Sequence, residues 1–352
     1  MTGKAIALPE GIQFTEEPGT TLKEFILSRH YTKVVVLVDK NTHTYCYRTI
    51  SSILPTHELI VVPEGEVHKN LTTSTQIWQQ MTDLKLDRHA LLIVIGGGVL
   101  GDMGGFCAAT YKRGIDFILV PTTLLSQVDA SIGGKLGIDF NSFKNHIGVF
   151  QMPVLTLLHS GFLKTLPPSE LRSGFAEIIK HILISDKANW ELIRAKSLKN
   201  QDWESLINHS VLFKAKVTSE DPKEKGLRKI LKAGHTIGHA LETHFISHHQ
   251  PVLHGEAIAI GLISEGFIAC KKGLLKKTEL DEIVGFILSI YDKLELNNDQ
   301  IDSISDLVIQ DKKNKGNKIL CVLLDGIGNA RWDMEISREE VKDALSFYHD
   351  QT

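Results

Sequence analysis

The sequence predicts an α/β protein in which a parallel sheet is followed by a largely helical domain. Three observations predict it. Short apolar runs alternate with helical stretches through the first half of the chain, the texture turns helical after Pro153, and six of the 16 histidines crowd between His235 and His254. The runs are Lys33 to Val38, Leu59 to Val62, Ala90 to Ile95 and Asp116 to Val120, with a helical period from about Thr72 to Lys85 between the second and third. Apolar strands separated by helices imply a parallel sheet covered on both faces. From Pro168 to about Cys270, and again from Lys277 to Leu294, the apolar spacing is that of helices. The boundary is expected near residues 152 to 160, without a low-complexity linker, so two domains packed about a shared cleft are expected.

Composition narrows the function classes. A chain of 352 residues suits about two domains. The formal net charge is -3 and the cations are dispersed, so neither nucleic acid nor an anionic membrane is an expected partner, while small anions remain open. Cys46, Cys107, Cys270 and Cys321 lie far apart, which fits reduced thiols and a cytosolic setting better than a disulfide framework. No apolar run is long enough to span a bilayer.

The third strand runs into Gly96-Gly-Gly-Val-Leu-Gly-Asp102, a glycine-rich turn that opens a helix. Glycines let the backbone approach a phosphate, and a helix amino terminus offers free N–H groups and the positive end of its dipole. The spacing differs from G-x-G-x-x-G, so a tight structural turn is an equal reading. Asp39, at the end of the first strand, suits a ribose hydroxyl, and Thr122 and Thr123 end another strand; each is also a common cap or turn. Gly133-Gly-Lys135 followed by Lys144-Asn145 suggests an anion site, with Asp129 able to pair with a cation; a solvated loop is the alternative. Glu177, Lys180 and His181 share one face of a helix, as a surface ion pair would. On the next histidine-bearing segment His235 and His239 fall one turn apart with Glu242 beside them, a display that suits a metal.

Taken together, Gly96 to Asp102, Pro121 to Asp129, Gly133 to Lys135, Lys144-Asn145, Ala176 to Lys180, Gly234-His-Thr-Ile-Gly-His239 and Leu253-His-Gly-Glu256 occur in the order and spacing of the sugar phosphate cyclases. Across residues 30 to 320 the chain most closely resembles the 3-dehydroquinate synthase family. That resemblance implies a Rossmann-like, parallel-sheet NAD domain over residues 1–155, an all-helical metal- and substrate-binding domain over 156–352, and a homodimer. It implies a divalent metal, usually zinc with cobalt as an alternative, on Glu177, His235 and His254. NAD contacts carried over by position are Asp39, Asn41, Glu66, Lys69, Gly97, Gly98, Val99, Asp102, Thr122, Thr123, Leu125, Lys144, Phe162 and Thr165, with the nicotinamide over the interdomain cleft. Substrate contacts are Asp129, Lys135, Asn145, Lys180, Lys216, Arg228, His239 and Lys312, with Arg113 supplied across the dimer. So many cations suit a phosphate plus a carboxylate.

The reaction implied converts 3-deoxy-D-arabino-heptulosonate 7-phosphate to 3-dehydroquinate and phosphate, in the shikimate pathway. NAD is reduced and re-oxidised within the turnover, phosphate leaves by elimination, and an intramolecular aldol addition closes the ring. One departure stands out. The family usually carries Leu-Asn-x-Gly-His-Thr, and this chain has Leu231-Lys-Ala-Gly-His-Thr236. Lys232 keeps a sister cyclase acting on sedoheptulose 7-phosphate or glucose 6-phosphate as an alternative, while Arg228 as the matched carboxylate partner favours the heptulosonate. A metal-dependent alcohol or glycerol dehydrogenase shares the two-domain plan and NAD, but has no use for so many cations. A non-enzymatic nucleotide-binding regulator would have lost its metal ligands, and all three positions are intact here.

Overall fold

The computed structural model describes residues 10–141, 143–309 and 318–351. The chain divides into two compact units, Met1–Pro167 and Pro168–Thr352. In the first, six strands form a wholly parallel sheet: β1 (Ile12–Phe14), β2 (Val34–Asp39), β3 (Glu58–Val62), β4 (Leu91–Gly96), β5 (Asp116–Pro121) and β8 (Leu155–Leu158), ordered β1-β8-β5-β4-β2-β3. Both faces are buried. Val35, Leu37, Leu92 and Val94 enter one core, whereas Val34, Val36, Val38, Leu91, Ile93 and Ile95 enter the other, which is the two-residue alternation of a strand covered on both sides.

The four apolar runs read from the sequence are four of these strands, and the helix read at 72–85 is Leu71–Asp83, whose Asn70 side chain accepts the Thr73 N–H at 3.0 Å. Two strands were not legible: β1 has three residues and β8 four, too short for a period to declare itself. Because β8 pairs with both β1 and β5, the first unit extends to Pro167, beyond the boundary at 155/156 read from the sequence. Between β5 and β8 the antiparallel hairpin β6 (Lys135–Phe140) and β7 (Phe143–Phe150) lies against the Gly98–Thr110 helix.

Sheet order decides where a ligand can enter. From β2 the chain passes to β3 on one side, then returns to β4 on the other, so the carboxyl ends of β2 and β4 diverge at a topological switch. Asp39 ends β2 and Gly96 ends β4, in neighbouring register.

The second unit is built on the His254–Lys271 helix, buried along almost its whole length because its stretch Ala257-Ile-Ala-Ile-Gly-Leu-Ile263 is apolar all round. Around it pack the helices Pro168–Leu183, His235–Ser247, Lys277–Leu288 and Arg338–His349. This unit is not purely helical, as the sequence reading had it: β9 (Ile319–Leu324) and β10 (Ala330–Ile336) form an antiparallel pair against the central helix, and the buried run Ile319-Leu-Cys-Val-Leu-Leu324 supplies its inner strand. Among the described residues no helix is long and apolar enough to cross a membrane.

Candidate active site

Two clusters of polar residues stand out, one in each unit. In the second unit three helices contribute. Glu177 lies mid-way along Pro168–Leu183 and is fully buried, whereas His235 and His254 are each the first residue of a helix. Close helix approach brings them together. A Cβ on Gly255 would stand 2.1 Å from the Ser173 carbonyl oxygen, and one on Gly261 1.9 Å from that of Gly234, so no larger residue lets these backbones meet.

The two imidazoles point the same way. His235 Nδ1 lies 3.0 Å from the Ala233 carbonyl oxygen and His254 Nδ1 3.2 Å from Glu242 Oε2, which leaves both Nε2 atoms facing Glu177 Oε1 at 3.5 and 3.3 Å. The second Glu177 oxygen receives Lys180. Ligand atoms of Glu177, His235 and His254 fall within 4.8 Å of one another. One buried carboxylate with two imidazoles is a donor set that suits zinc and leaves further positions open. Burial holds His235 well below the ordinary histidine range, with Glu177 acting against it. Burial also pushes His254 down, but the Glu177 and Glu242 carboxylates outweigh it and lift the ring to about 10. His239 joins the cluster, its ring centroid 5.0 Å from that of His235.

Two buried residues of this unit had no signal singled out in the sequence. Glu265, from the central helix, accepts the N–H groups of Gly234 at 2.5 Å, Thr236 at 3.0 Å and Ile237 at 3.3 Å, capping the helix that His235 begins. Nothing local in the sequence points to it, because the cap comes from another helix. Lys214 is the other. Lys216 is exposed on the Trp203–Glu220 helix, while Lys214, about 200° away around that helix, is buried on the stripe of Ser210, Val211, Val217 and Thr218. The three- and four-residue spacing of that stripe was a usable signal.

Arg228 is buried on the 3-10 turn Leu227–Lys232, where its guanidinium donates to the Pro222 carbonyl at 3.0 Å. The preceding loop folds around Asp221, whose carboxylate accepts from Lys225, Gly226 and Arg228 backbone N–H groups. Lys232 pairs with Glu224 of that loop, so its charge is balanced within the chain. Lys312 lies outside the described residues.

In the first unit the glycine turn sits where the sequence reading expects it. Gly97 precedes the Gly98–Thr110 helix, and a pocket at the sheet's carboxyl edge is lined by Gly96, Gly97, Gly98, Asp102, Pro121 and Ser131. Among the described residues the buried Ser131 hydroxyl finds no hydrogen-bond partner, and the first-turn N–H groups of the helix open beside it, features that a phosphate-bearing nucleotide would satisfy. Three separate motifs meet here: the buried Lys69 ammonium donates to Asp102 Oδ2 at 2.7 Å and to Asn145 Oδ1 at 2.6 Å. Burial opposes that charge, but Asp102 and then Glu66 outweigh it and raise the lysine above its ordinary value. Lys144 stands 3.8 Å from Glu66. Thr122 is buried beside the turn, its N–H donated to the Gly96 carbonyl at 3.0 Å, with Thr123 and Leu125 following and Asp129 in the turn Ser126–Ala130. Val99 is half-buried in the first turn.

The remaining candidates of the first unit lie on other elements. Asp39 caps the next helix, accepting the Thr42 N–H at 2.7 Å, with Asn41 exposed alongside. Phe162 is packed into the sheet core, and Thr165 ends the same 3-10 segment, exposed. Lys135 is exposed at the start of β6, and Arg113 is exposed at a left-handed turn with φ 71°.

Comparison with known proteins decides the family. The family described as 3-dehydroquinate synthase N-terminal matches residues 59–173, and the one described as 3-dehydroquinate synthase C-terminal matches residues 174–314. The chain belongs to the 3-dehydroquinate synthase family. Within curated members it is 36% identical to the 3-dehydroquinate synthase of Parabacteroides distasonis over 334 residues, covering 94% of this chain and 95% of that one. The fold is that of a 2-deoxy-scyllo-inosose synthase complexed with carbaglucose-6-phosphate, NAD+ and Co2+, with TM-score 0.82, 26% identity and 95% of both chains covered. It is also that of the 2-epi-5-epi-valiolone synthase of Streptomyces hygroscopicus, with TM-score 0.84 at 23% identity and 99% of both chains covered. Both cofactors expected from the sequence, NAD and a divalent metal, agree with these relatives and with the Glu177, His235 and His254 set.

Proposed function

We propose that this chain is a 3-dehydroquinate synthase, converting 3-deoxy-D-arabino-heptulosonate 7-phosphate to 3-dehydroquinate and phosphate. The observation that carries the reading is the convergence of two imidazole Nε2 atoms on one buried Glu177 oxygen in a chain of this family. Glu177, His235 and His254 would hold the divalent ion, zinc or cobalt, and Gly97, Gly98, Val99, Asp102 and Thr122 would seat the NAD phosphates. Bound there, the nucleotide supplies a reversible hydride acceptor and the ion a Lewis acid.

The chain's own groups do the rest. Lys180, held by Glu177, and His239 lie beside the ion site and suit hydroxyls that must be oriented or deprotonated. Arg228 offers a fork for a carboxylate, and Lys214, buried where Lys216 is not, offers a second cation. From the first unit Asp129, Lys135 and Asn145 are assigned to the sugar and its phosphate, and Arg113 to the phosphate bound by a second copy in a homodimer. We place the enzyme in the cytoplasm, in keeping with its four unpaired thiols.

The test is incubation of zinc-replete protein with NAD and the heptulosonate phosphate, following phosphate release and identifying the carbocycle by NMR. One phosphate per turnover without accumulating NADH supports the proposal. Turnover of glucose 6-phosphate or sedoheptulose 7-phosphate in its place would assign the chain to a sister cyclase. His254→Ala should lose most of its zinc and turnover while keeping its far-ultraviolet circular dichroism. Full zinc occupancy in that variant refutes the ligand assignment.

A further inference from the structure

Glu242 is a buried carboxylate to which the proposed reaction assigns no role. It sits seven residues after His235 and three after His239 on the same helix, only 5% exposed, so it shares their face. A carboxylate in such a place is unfavourable unless a partner compensates it. One partner is the ring of His254, whose Nδ1 stands 3.2 Å from Glu242 Oε2 while Nε2 stands 3.3 Å from Glu177 Oε1. His254 is thus held from both sides, by Glu177 of the Glu177, His235 and His254 set and by Glu242, which with His239 and His254 forms a second cluster whose ligand atoms lie within 4.8 Å of one another; binding through that second cluster would use Nδ1, binding through the first Nε2.

An imidazole can give a lone pair to a metal from only one nitrogen while the other keeps its proton. The nitrogen facing Glu177 and His235 is Nε2, so the proton belongs on Nδ1, and Glu242 is the acceptor that keeps it there. His235 solves the same problem with a backbone carbonyl, at Ala233. His254 begins its helix directly after a loop, and His254 Nδ1 turns to a side chain rather than to a carbonyl. We propose that Glu242 is a positioning residue for the metal: it fixes the tautomer and ring orientation of His254 so that Nε2 is presented to the ion. The inference rests on the reading that Glu177, His235 and His254 hold that ion. Replacing such a partner lowers metal affinity about 10- to 100-fold in comparable sites.

The experiment is zinc affinity by competition with a chromophoric chelator, on wild type, Glu242→Gln and Glu242→Ala, with far-ultraviolet circular dichroism as a control on folding of the helical second unit. A zinc dissociation constant raised about 10- to 100-fold in Glu242→Ala is expected, with Glu242→Gln between it and wild type, because an amide oxygen still accepts the Nδ1 proton but carries no charge. Nitrogen-15 NMR of the zinc-loaded wild type should show His254 protonated at Nδ1 and bound through Nε2, and the Co2+ visible spectrum should change in both variants. A purely structural carboxylate would alter melting without moving the Co2+ spectrum. Wild-type zinc affinity in Glu242→Ala overturns the proposal, as does coordination through Nδ1. Should Glu242→Ala not fold, Glu242→Gln decides by the same two readings. If the wild type itself binds no zinc, or His254→Ala keeps it, the metal-site reading has failed, and the role of Glu242 with it. Zinc bound normally by wild type and lost by His254→Ala leaves the role of Glu242 as the only point still under test.

Discussion

Removing the Glu265 carboxylate should destabilise the second unit more than most single substitutions do. Its Oε2 accepts the Gly234 N–H and its Oε1 those of Thr236 and Ile237, and Gly234, which precedes the helix in a left-handed conformation, brings no capping side chain of its own. A hydrogen bond to a charged acceptor contributes about 1.5–3 kcal/mol, and an N–H left buried without one costs about 1–3 kcal/mol. The three cannot simply be added, since water entering the space recovers part of the loss, and loss of an ordinary N-cap costs about 0.5–2 kcal/mol. Between these limits Glu265→Ala is expected to lose about 3–5 kcal/mol. For a unit of this size each kcal/mol moves the midpoint by about 2–4 °C, so the melting transition should fall by roughly 6–20 °C. Glu265→Gln offers one oxygen: set toward Thr236 and Ile237, its NH2 opposes the Gly234 N–H, and about 2 kcal/mol should go. The assay is scanning calorimetry of the metal-free protein, with zinc affinity measured in parallel because His235 begins the helix. A Glu265→Ala midpoint within about 2 °C of wild type would show that the cap is not what holds this helix end.

Three further outcomes can be checked directly. Gly98→Val should weaken NAD binding with zinc content unchanged, because even a Cβ there lies 3.2 Å from that of Ala130 and the larger branches project where a pyrophosphate would approach; unaltered NAD affinity by calorimetry reduces the stretch to a structural turn. Arg228→Ala should depress turnover of the heptulosonate phosphate by an amount equivalent to about 2–5 kcal/mol, whereas Lys232→Asn, which only releases the half-exposed Glu224 pair, should be tolerated; the reverse ranking in steady-state kinetics would transfer the carboxylate to Lys232. Burial lifts the Cys46 and Cys107 thiols to about 12 and Cys321 well above its ordinary value, so at pH 8 the native protein should react with a disulfide reagent at the half-exposed Cys270 and resist elsewhere until denatured.

Much of this protein was legible in one dimension wherever its information is local. Runs such as Leu91 to Ile95 declare buried strands because every residue is apolar, and the Gly96 to Asp102 turn declares itself because backbone approach needs glycine in sequence. The histidine cluster was visible because two candidate ligands, His235 and His254, open consecutive helices only a short loop apart. The family likeness added residue roles that spacing alone left open between ion pair and ligand. What stayed hidden depends on distance in the chain. β1 and β8 are strands because the sheet pairs them, not because three or four residues prefer to be extended. The lysine turned inward is Lys214 rather than Lys216 because helix phase, set by packing, decides which is buried. The junction of Lys69 with Asp102 and Asn145, the cap from Glu265 and the Glu242 contact to His254 each join residues from different elements. Sequence determines which groups exist and in what local conformation; only tertiary packing removes them from water, where hydrogen bonds and charges become strong enough to choose a tautomer, a cap or a ligand.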